Sequence, residues 1–266
     1  MLIRNWLKCV VPIVVLGILQ GLNYLQLHGT VYLSGIVLTL GFSEFEISAS
    51  YLMMFLFQTL HFYMFYFLFG TTIYQHFCTA SVYSFTRCVN RRFWFLRQAL
   101  KLAGYSFLYV LLYPTAVALT AGITNRVKVD EASMVLLAYY VALQGLWIFC
   151  LSLLMNVVAI VVESKAAFFV VAGLQLFFPT SLLLWDGVVT VGRVEVPVNL
   201  FRHLILTWHS PGGSDLLRQS MGGMERGITL NMSVLVLGVL SVLTVMISME
   251  AVQRMELLPT GAEKGM

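Results

Sequence analysis

Met134 to Val162 reads MVLLAYYVALQGLWIFCLSLLMNVVAIVV, without one Asp, Glu, Lys or Arg. The hydrocarbon core of a bilayer is about 30 Å thick and takes roughly 20 apolar residues in helical form. This run is long enough to cross it. A backbone in lipid must satisfy its own N–H and C=O groups, so the run predicts a helix. A barrel strand would alternate in polarity, and this run does not. After Lys165 the chain is apolar again from Ala166 to Trp185. Toward the N-terminus, Leu102 to Ile123, the aromatic-rich Tyr51 to Tyr74, and Cys9 to His28 have the same character, and toward the C-terminus so does Leu230 to Ala251. The expected fold is an all-α polytopic membrane protein with six transmembrane helices, residues 1–266 forming a single membrane domain. Thr30 to Phe42 is also apolar, but it is short and holds Gly35 and Gly41, which suits an interfacial or re-entrant piece.

Composition agrees. Hydrophobic residues make up 59% of the 266 and charged residues 11%, with a mean hydropathy of +0.87. A soluble domain carries about 25% charged residues, so lipid must cover much of this surface. The formal charge of +4 is not gathered into a long basic tract, which argues against nucleic-acid binding. Cys9, Cys78, Cys88 and Cys150 show no CxxC or metal-ligand spacing and read as packing residues. Met1 to Lys8 is basic and precedes an apolar stretch, as in a signal peptide. The stretch is long and lacks a small-residue cleavage site, so a retained first span is expected.

Orientation follows from the cations at the span ends. Ten of the 16 lie on one side: Arg4 and Lys8 before the first span, Arg87, Arg91, Arg92, Arg97 and Lys101 between the second and third, Lys165 between the fourth and fifth, and Arg254 and Lys264 after the sixth. The other side holds Arg126, Lys128, Arg193, Arg202, Arg218 and Arg226, spread over longer loops and matched by carboxylates. Both termini are therefore expected in the cytoplasm. The long outer loop, Asp186 to Thr229, contains a valine alternation at Val189 to Val198, an apolar run at Asn199 to Trp208, and the turn Ser210-Pro211-Gly212-Gly213. A short helix on the outer face is expected there.

Few residues point to chemistry. There is no phosphate-binding G-x-x-x-x-G-K-[ST] loop and no G-x-S-x-G elbow. His203 and His209 lack a zinc spacing and read as ordinary loop residues. The polar residues within spans are Gln20, Asn23, Gln58, His61, Gln144, Asn156, Gln175 and Asn231. They serve either as glue between helices or as the lining of a substrate path, with Gln58, His61, Gln144 and Asn156 the candidates for the path. Gln58 and His61 share a helix face at i, i+3. His61 is alone among the histidines in lying well inside a span, which argues against a two-His haem site within one chain, and no metal site is expected. Gly17-x-x-x-Gly21 permits close helix approach and marks a packing seam, within the chain or between subunits. The stretch Arg87-Cys88-Val89-Asn90-Arg91-Arg92-Phe93-Trp94-Phe95-Leu96-Arg97 mixes cations with large aromatics. It suits an interfacial helix at the headgroups or a helix docked on a cytoplasmic protein, where Trp and Arg make the best anchors.

Two stretches carry a family resemblance. They are Tyr83-Ser-Phe-Thr-Arg-Cys-Val-Asn-Arg-Arg-Phe-Trp-Phe-Leu-Arg-Gln-Ala-Leu-Lys101 leading into the third span, and Leu153-Leu-Met-Asn-Val-Val-Ala-Ile-Val-Val-Glu-Ser-Lys-Ala-Ala-Phe168 joining the fourth and fifth. With the six-span layout they resemble the type-2 ATP-binding-cassette permeases, and most of all the small bacterial permease subunits of peptide-antibiotic export and self-immunity. The resemblance implies a multi-pass cell-membrane protein without its own nucleotide site or cofactor. ATP and Mg would bind a separate cytoplasmic ATPase subunit, and a second permease chain, the same or related, would complete the pore. It implies a short cytoplasmic coupling helix with Arg87, Asn90, Arg91, Arg92, Trp94 and Arg97 in contact with the ATPase, and Glu163 and Lys165 as a second contact. It places Asn199 to Trp208 over the exit. Met1 to Lys8 departs from the pattern, being too short for the amphipathic helix such permeases often begin with.

Three functions remain open at this point. The leading one is export of an amphipathic or hydrophobic peptide or lipid-like cargo, which the aromatic second span suits. The second is a membrane scaffold or sensor that holds a partner at the basic stretch. The third is an intramembrane enzyme, which needs a cluster of nucleophile, base or metal ligands at membrane depth, and the candidates in this sequence stand isolated.

Overall fold

A computed structural model describes residues 2–24, 29–42, 49–83, 91–184, 188–191, 194–210, 217 and 228–254. Eight α-helices are described: α1 (Leu2–Gly21), α2 (Leu33–Leu40), α3 (Ala49–Phe69), α4 (Thr72–Tyr83), α5 (Arg91–Ala121), α6 (Glu131–Val161), α7 (Ser164–Leu184) and α8 (Leu230–Arg254). Two small ladders accompany them. β1 (Thr30–Tyr32) pairs in parallel with β2 (Arg126–Lys128), and β3 (Val188–Val191) pairs antiparallel with β4 (Val194–Pro197). Two 3-10 turns, Leu200–Leu204 and Leu206–Trp208, lead toward α8.

The chain is thus mostly helical. Four helices are long and apolar enough to cross a membrane: α5, α6, α8 and, over Ser164–Leu182, α7, while Val10–Tyr24 forms a shorter apolar helix. Their outer faces carry large apolar side chains to the surface, among them Leu119, Phe169 and Ile247, as expected where hydrocarbon is the solvent. The start of α6 is fixed by a reciprocal cap: the Asp130 N–H donates to Ser133 Oγ at 3.2 Å, and the Ser133 hydroxyl donates to the Asp130 carboxylate. This satisfies groups that a helix end leaves open.

Side-chain pairs give each helix its direction. Gly17 and Gly21 of α1 face Ala116 and Thr120 of α5, so these two run parallel. His61, Phe65 and Phe69 of α3 meet Tyr113, Tyr109 and Tyr105 of α5, so these run antiparallel. Tyr139 and Cys150 of α6 bond Asn231 and Ser241 of α8, again a parallel pair. Arg92 at the start of α5 bonds Glu250 near the end of α8, so the beginnings of α1 and α5 and the end of α8 share one rim. The β1–β2 ladder ties the far ends of α1 and α5 through Thr30–Arg126, Val31–Val127 and Tyr32–Lys128.

Two expectations need correcting. The predicted span from Tyr51 to Tyr74 breaks after Phe69 into α3 and α4, where Gly70 lies so close to Met155 that no side chain fits. Asn156 of α6 takes over the start of α4, its Oδ1 accepting from the N–H groups of Ile73 at 2.8 Å and Tyr74 at 3.0 Å. The cationic stretch is not a separate short helix from Arg91 onward. Those residues are the first turns of α5, whose 31 residues extend about 46 Å, well beyond a hydrocarbon core. The valine alternation forms the β3–β4 hairpin, while the run from Asn199 to Trp208 does hold short helices, of the 3-10 kind, at Leu200–Leu204 and Leu206–Trp208. Thr30 to Phe42, expected to be a short piece, forms β1 and the eight-residue α2, and Phe42, at φ +60°, is buried against Phe55, Phe62 and Phe201.

Candidate functional site

Three groups of polar side chains among the described residues bear on function. The first is the rim where α5 begins. Arg87 and Asn90 lie outside the described residues. Arg92 does not point into open solvent: its guanidinium donates to Glu250 of α8 at 2.8 Å. Trp94 is half-buried, its ring 6.3 Å from that of Phe77 on α4. Phe95, Ala99, Leu102 and Ser106 form the buried stripe of the helix. The opposite stripe is Phe93, 67% exposed, Arg97, Leu100, 65% exposed, and Lys101. Glu163 and Lys165 are exposed in the tight turn between α6 and α7, whose backbone closes through Ala167 N–H to Glu163 C=O at 2.9 Å.

The second place is the middle of the bundle. Gln58 donates through Nε2 to the Thr39 carbonyl at the end of α2, at 2.9 Å. His61 Nδ1 sits 2.6 Å from the Gln58 carbonyl. A carbonyl only accepts, so Nδ1 carries the proton and Nε2 presents a lone pair. The ring stacks on Tyr113 at 4.5 Å, and Tyr109 OH donates to the His61 carbonyl at 2.9 Å. Among the described residues, His61 Nε2, Gln58 Oε1, Gln20 Oε1, Tyr140 OH and both amide atoms of Gln144 are buried without a hydrogen-bond partner. Such groups are rare in folded proteins and mark places where water or a ligand completes the set. Asn156 does not join them, since it caps α4 and donates through Nδ2 to the Ser152 carbonyl at 2.8 Å. Gln175 is structural in the same sense: its Oε1 accepts from Tyr66 OH at 3.0 Å and Trp147 Nε1 at 2.8 Å, joining α3, α6 and α7.

The third place was not expected. His203 Nδ1 and His209 Nε2 each lie 2.7 Å from Ser233 Oγ at the start of α8. His209 Nδ1 faces the Ile205 carbonyl at 2.8 Å and must donate there, so its Nε2 accepts the Ser233 hydroxyl proton. Ser233 Oγ then accepts from His203 Nδ1. Every proton in the chain of three is thereby assigned. Burial holds both imidazoles neutral, with pKa values pushed down to about 4, reinforced at His203 by His209 and Arg202 and offset in part at His209 by the Ile205 and Leu206 carbonyls. A serine bonded to an imidazole that a third group orients is also the layout of an activated nucleophile. Here, however, His203, Ser233 and His209 are 0%, 0% and 2% exposed, and the trio fastens the segment before α8 to that helix. Among the described residues no three His, Cys, Asp or Glu side chains gather to hold a metal ion.

No family model matches the chain, and neither the curated proteins nor the solved structures contain a significant match to it.

Proposed function

We propose that this chain is the permease subunit of an ATP-driven exporter, spanning the cell membrane six times through α1, the α3–α4 pair, α5, α6, α7 and α8, with both termini in the cytoplasm. The observation that carries the reading is the stripe Phe93, Arg97, Leu100 and Lys101 on the part of α5 that outruns a hydrocarbon core. Large exposed apolar side chains between cations, on a rigid helix at the basic rim, are what a cytoplasmic partner needs as an anchor. The partner is an ATP-binding-cassette ATPase subunit, which holds ATP and Mg. A second permease chain faces this one. Closing of the ATPase pair drives α5 from its cytoplasmic end as a rigid rod, and the packed helices switch between two arrangements. The cargo is an amphipathic or hydrophobic peptide or lipid-like molecule, and the open hydrogen-bonding positions at Gln58, His61 and Gln144 meet its polar groups inside the bundle.

The test is co-purification with the ATPase subunit, followed by ATP-driven transport in vesicles. Arg92 is a poor target because its reversal also breaks the pair with Glu250. Leu100→Ala with Arg97→Glu targets two exposed members of the stripe. Loss of the ATPase from this variant, with the bundle still folded, is the expected result. An unchanged complex, or the absence of any ATPase from the wild-type preparation, overturns the coupling role.

A further inference from the structure

The half of α5 away from the basic rim carries two apolar grooves. One, of about 560 Å³, runs on the α2 and α6 side from Val127 and Asn125 to Pro114. The other, of about 500 Å³, runs on the α1 side between Ile18, Leu22 and Thr124. They share Thr115 and Leu119, and Leu119 stands between them as a ridge, 77% exposed. From Pro114 to Ala121, where α5 ends, the helix rises about 10 Å, roughly a third of a hydrocarbon core about 30 Å thick. Both grooves therefore lie toward the end of the span away from the basic rim. At their head the side chain of Asn125 is buried, with Nδ2 donating to the Tyr24 carbonyl at 2.7 Å, while its Oδ1 meets no donor among the described residues. Beside it, Arg126 and Lys128 are exposed on one face of β2, and Val127 between them turns the other way to line the groove. Of the neighbouring carboxylates, Asp130 is engaged by Ser133 in the cap of α6, and Glu131 is exposed on the first turn of that helix.

We propose that this is a seat for one anionic phospholipid. Its two acyl chains lie on either side of Leu119, its phosphate rests against Arg126 and Lys128, and a headgroup hydroxyl donates to Asn125 Oδ1. Two tails, a negative phosphate and a hydroxyl donor match two grooves, two cations and one open acceptor. The seat goes beyond transport, and it rests on the membrane placement alone, independent of any ATPase.

The full chain in detergent, mixed with dioleoylphosphatidylglycerol or dioleoylphosphatidylcholine, is examined by native mass spectrometry. At about fivefold per surface cation, the phosphatidylglycerol is expected to be retained roughly 30-fold better. Arg126→Gln with Lys128→Gln, both exposed, is expected to abolish that preference while leaving the fold intact. Thr115→Phe, which fills both grooves, is expected to reduce retention of the phosphatidylglycerol. Equal retention of the two lipids by the wild type, a preference that survives the double substitution, or full retention by Thr115→Phe overturns the proposal. None of these readouts depends on whether an ATPase co-purifies.

Discussion

Arg92, in the first turn of α5, and Glu250, near the end of α8, form an ion pair at 2.8 Å across the bundle. Glu250 also accepts from Arg254 Nε at 2.7 Å, one turn further on. The pair is half-exposed, with the side chains 51% and 43% accessible, so solvent and salt screen it and stability is little affected by its loss. Its value is geometric, since it places the start of one helix and the end of another at the same rim. With the native cysteines replaced by serine, Arg92→Cys and Glu250→Cys are expected to cross-link on mild oxidation. Lys101→Cys with Glu250→Cys is not, because Lys101 lies about 14 Å further along α5. Cross-linking of the second pair alone would show the register of α5 against α8 to be wrong.

Both glycines of α1 lie in its seam with α5. A Cβ on Gly17 would lie 2.5 Å from that of Ala116, and one on Gly21 would lie 2.5 Å from that of Thr120. Ala116 and Thr120 are themselves small and four apart, so two small-residue stripes face each other. Gly17→Leu is expected to lower stability by about 1–3 kcal/mol through overpacking, read as a reduced thermal midpoint in detergent. Gly17→Ala should be milder and partly rescued by Ala116→Gly. Rescue would tie the effect to this contact and not to the helix propensity of α1.

Polarity made the long helices legible: an uncharged run such as Met134 to Val162 has few alternatives to a membrane helix. What remained hidden depended on distant partners. The break between α3 and α4 falls at Gly70-Thr71-Thr72, a slight interruption between apolar residues on both sides, and its cap comes from Asn156, 83 residues beyond Ile73. The continuity of α5 was readable in principle, because Phe95, Ala99, Leu102 and Ser106 keep helical spacing from the cationic stretch into the span. The mixture of Arg and Trp drew attention to an interface and away from that periodicity. The β3–β4 hairpin shows in its valines on both sides of Gly192-Arg193. The His203–Ser233–His209 trio left no such trace, since its serine is 30 and 24 residues from the two histidines and no spacing rule joins them.

That trio makes stability depend on pH. Both imidazoles have folded-state pKa values near 4, below the ordinary 6.5, because burial disfavours the charged ring. Between those values the unfolded loop binds protons that the folded loop refuses. Stability therefore rises with pH across this window. It is complete above about pH 6.5, falls as the pH drops toward 4, and levels off below that. Thermal midpoints in detergent at pH 7.5, 6 and 5 should decline in that order, and the decline should shrink in His203→Asn with His209→Asn. Ser233→Ala removes the shared hydroxyl and leaves two buried nitrogens unmatched, at a cost of about 1–3 kcal/mol at neutral pH. A midpoint flat from pH 7.5 to 5 would show that the trio does not hold the loop.

Gln144 separates the two uses of a buried polar residue. Its side chain is 1% exposed and neither amide atom has a partner among the described residues. If it served only to join helices, Gln144→Leu would remove a group whose burial is uncompensated, and the variant would be as stable as the wild type or more so. Transport would be unaffected. If the amide instead completes a polar path with His61 and Tyr140, the same substitution still raises the thermal midpoint but closes the path to polar groups. The expected outcome is this second one: Gln144→Leu gains stability by about 1–3 kcal/mol, the usual penalty of an unmatched buried group, and loses ATP-driven transport while keeping its ATPase partner. Gln144→Glu is the contrasting variant, since it retains the acceptor but brings a group whose charged form the bundle interior penalises. A Gln144→Leu protein that transports normally would leave the amide with a packing role alone and would take it off the route of the cargo.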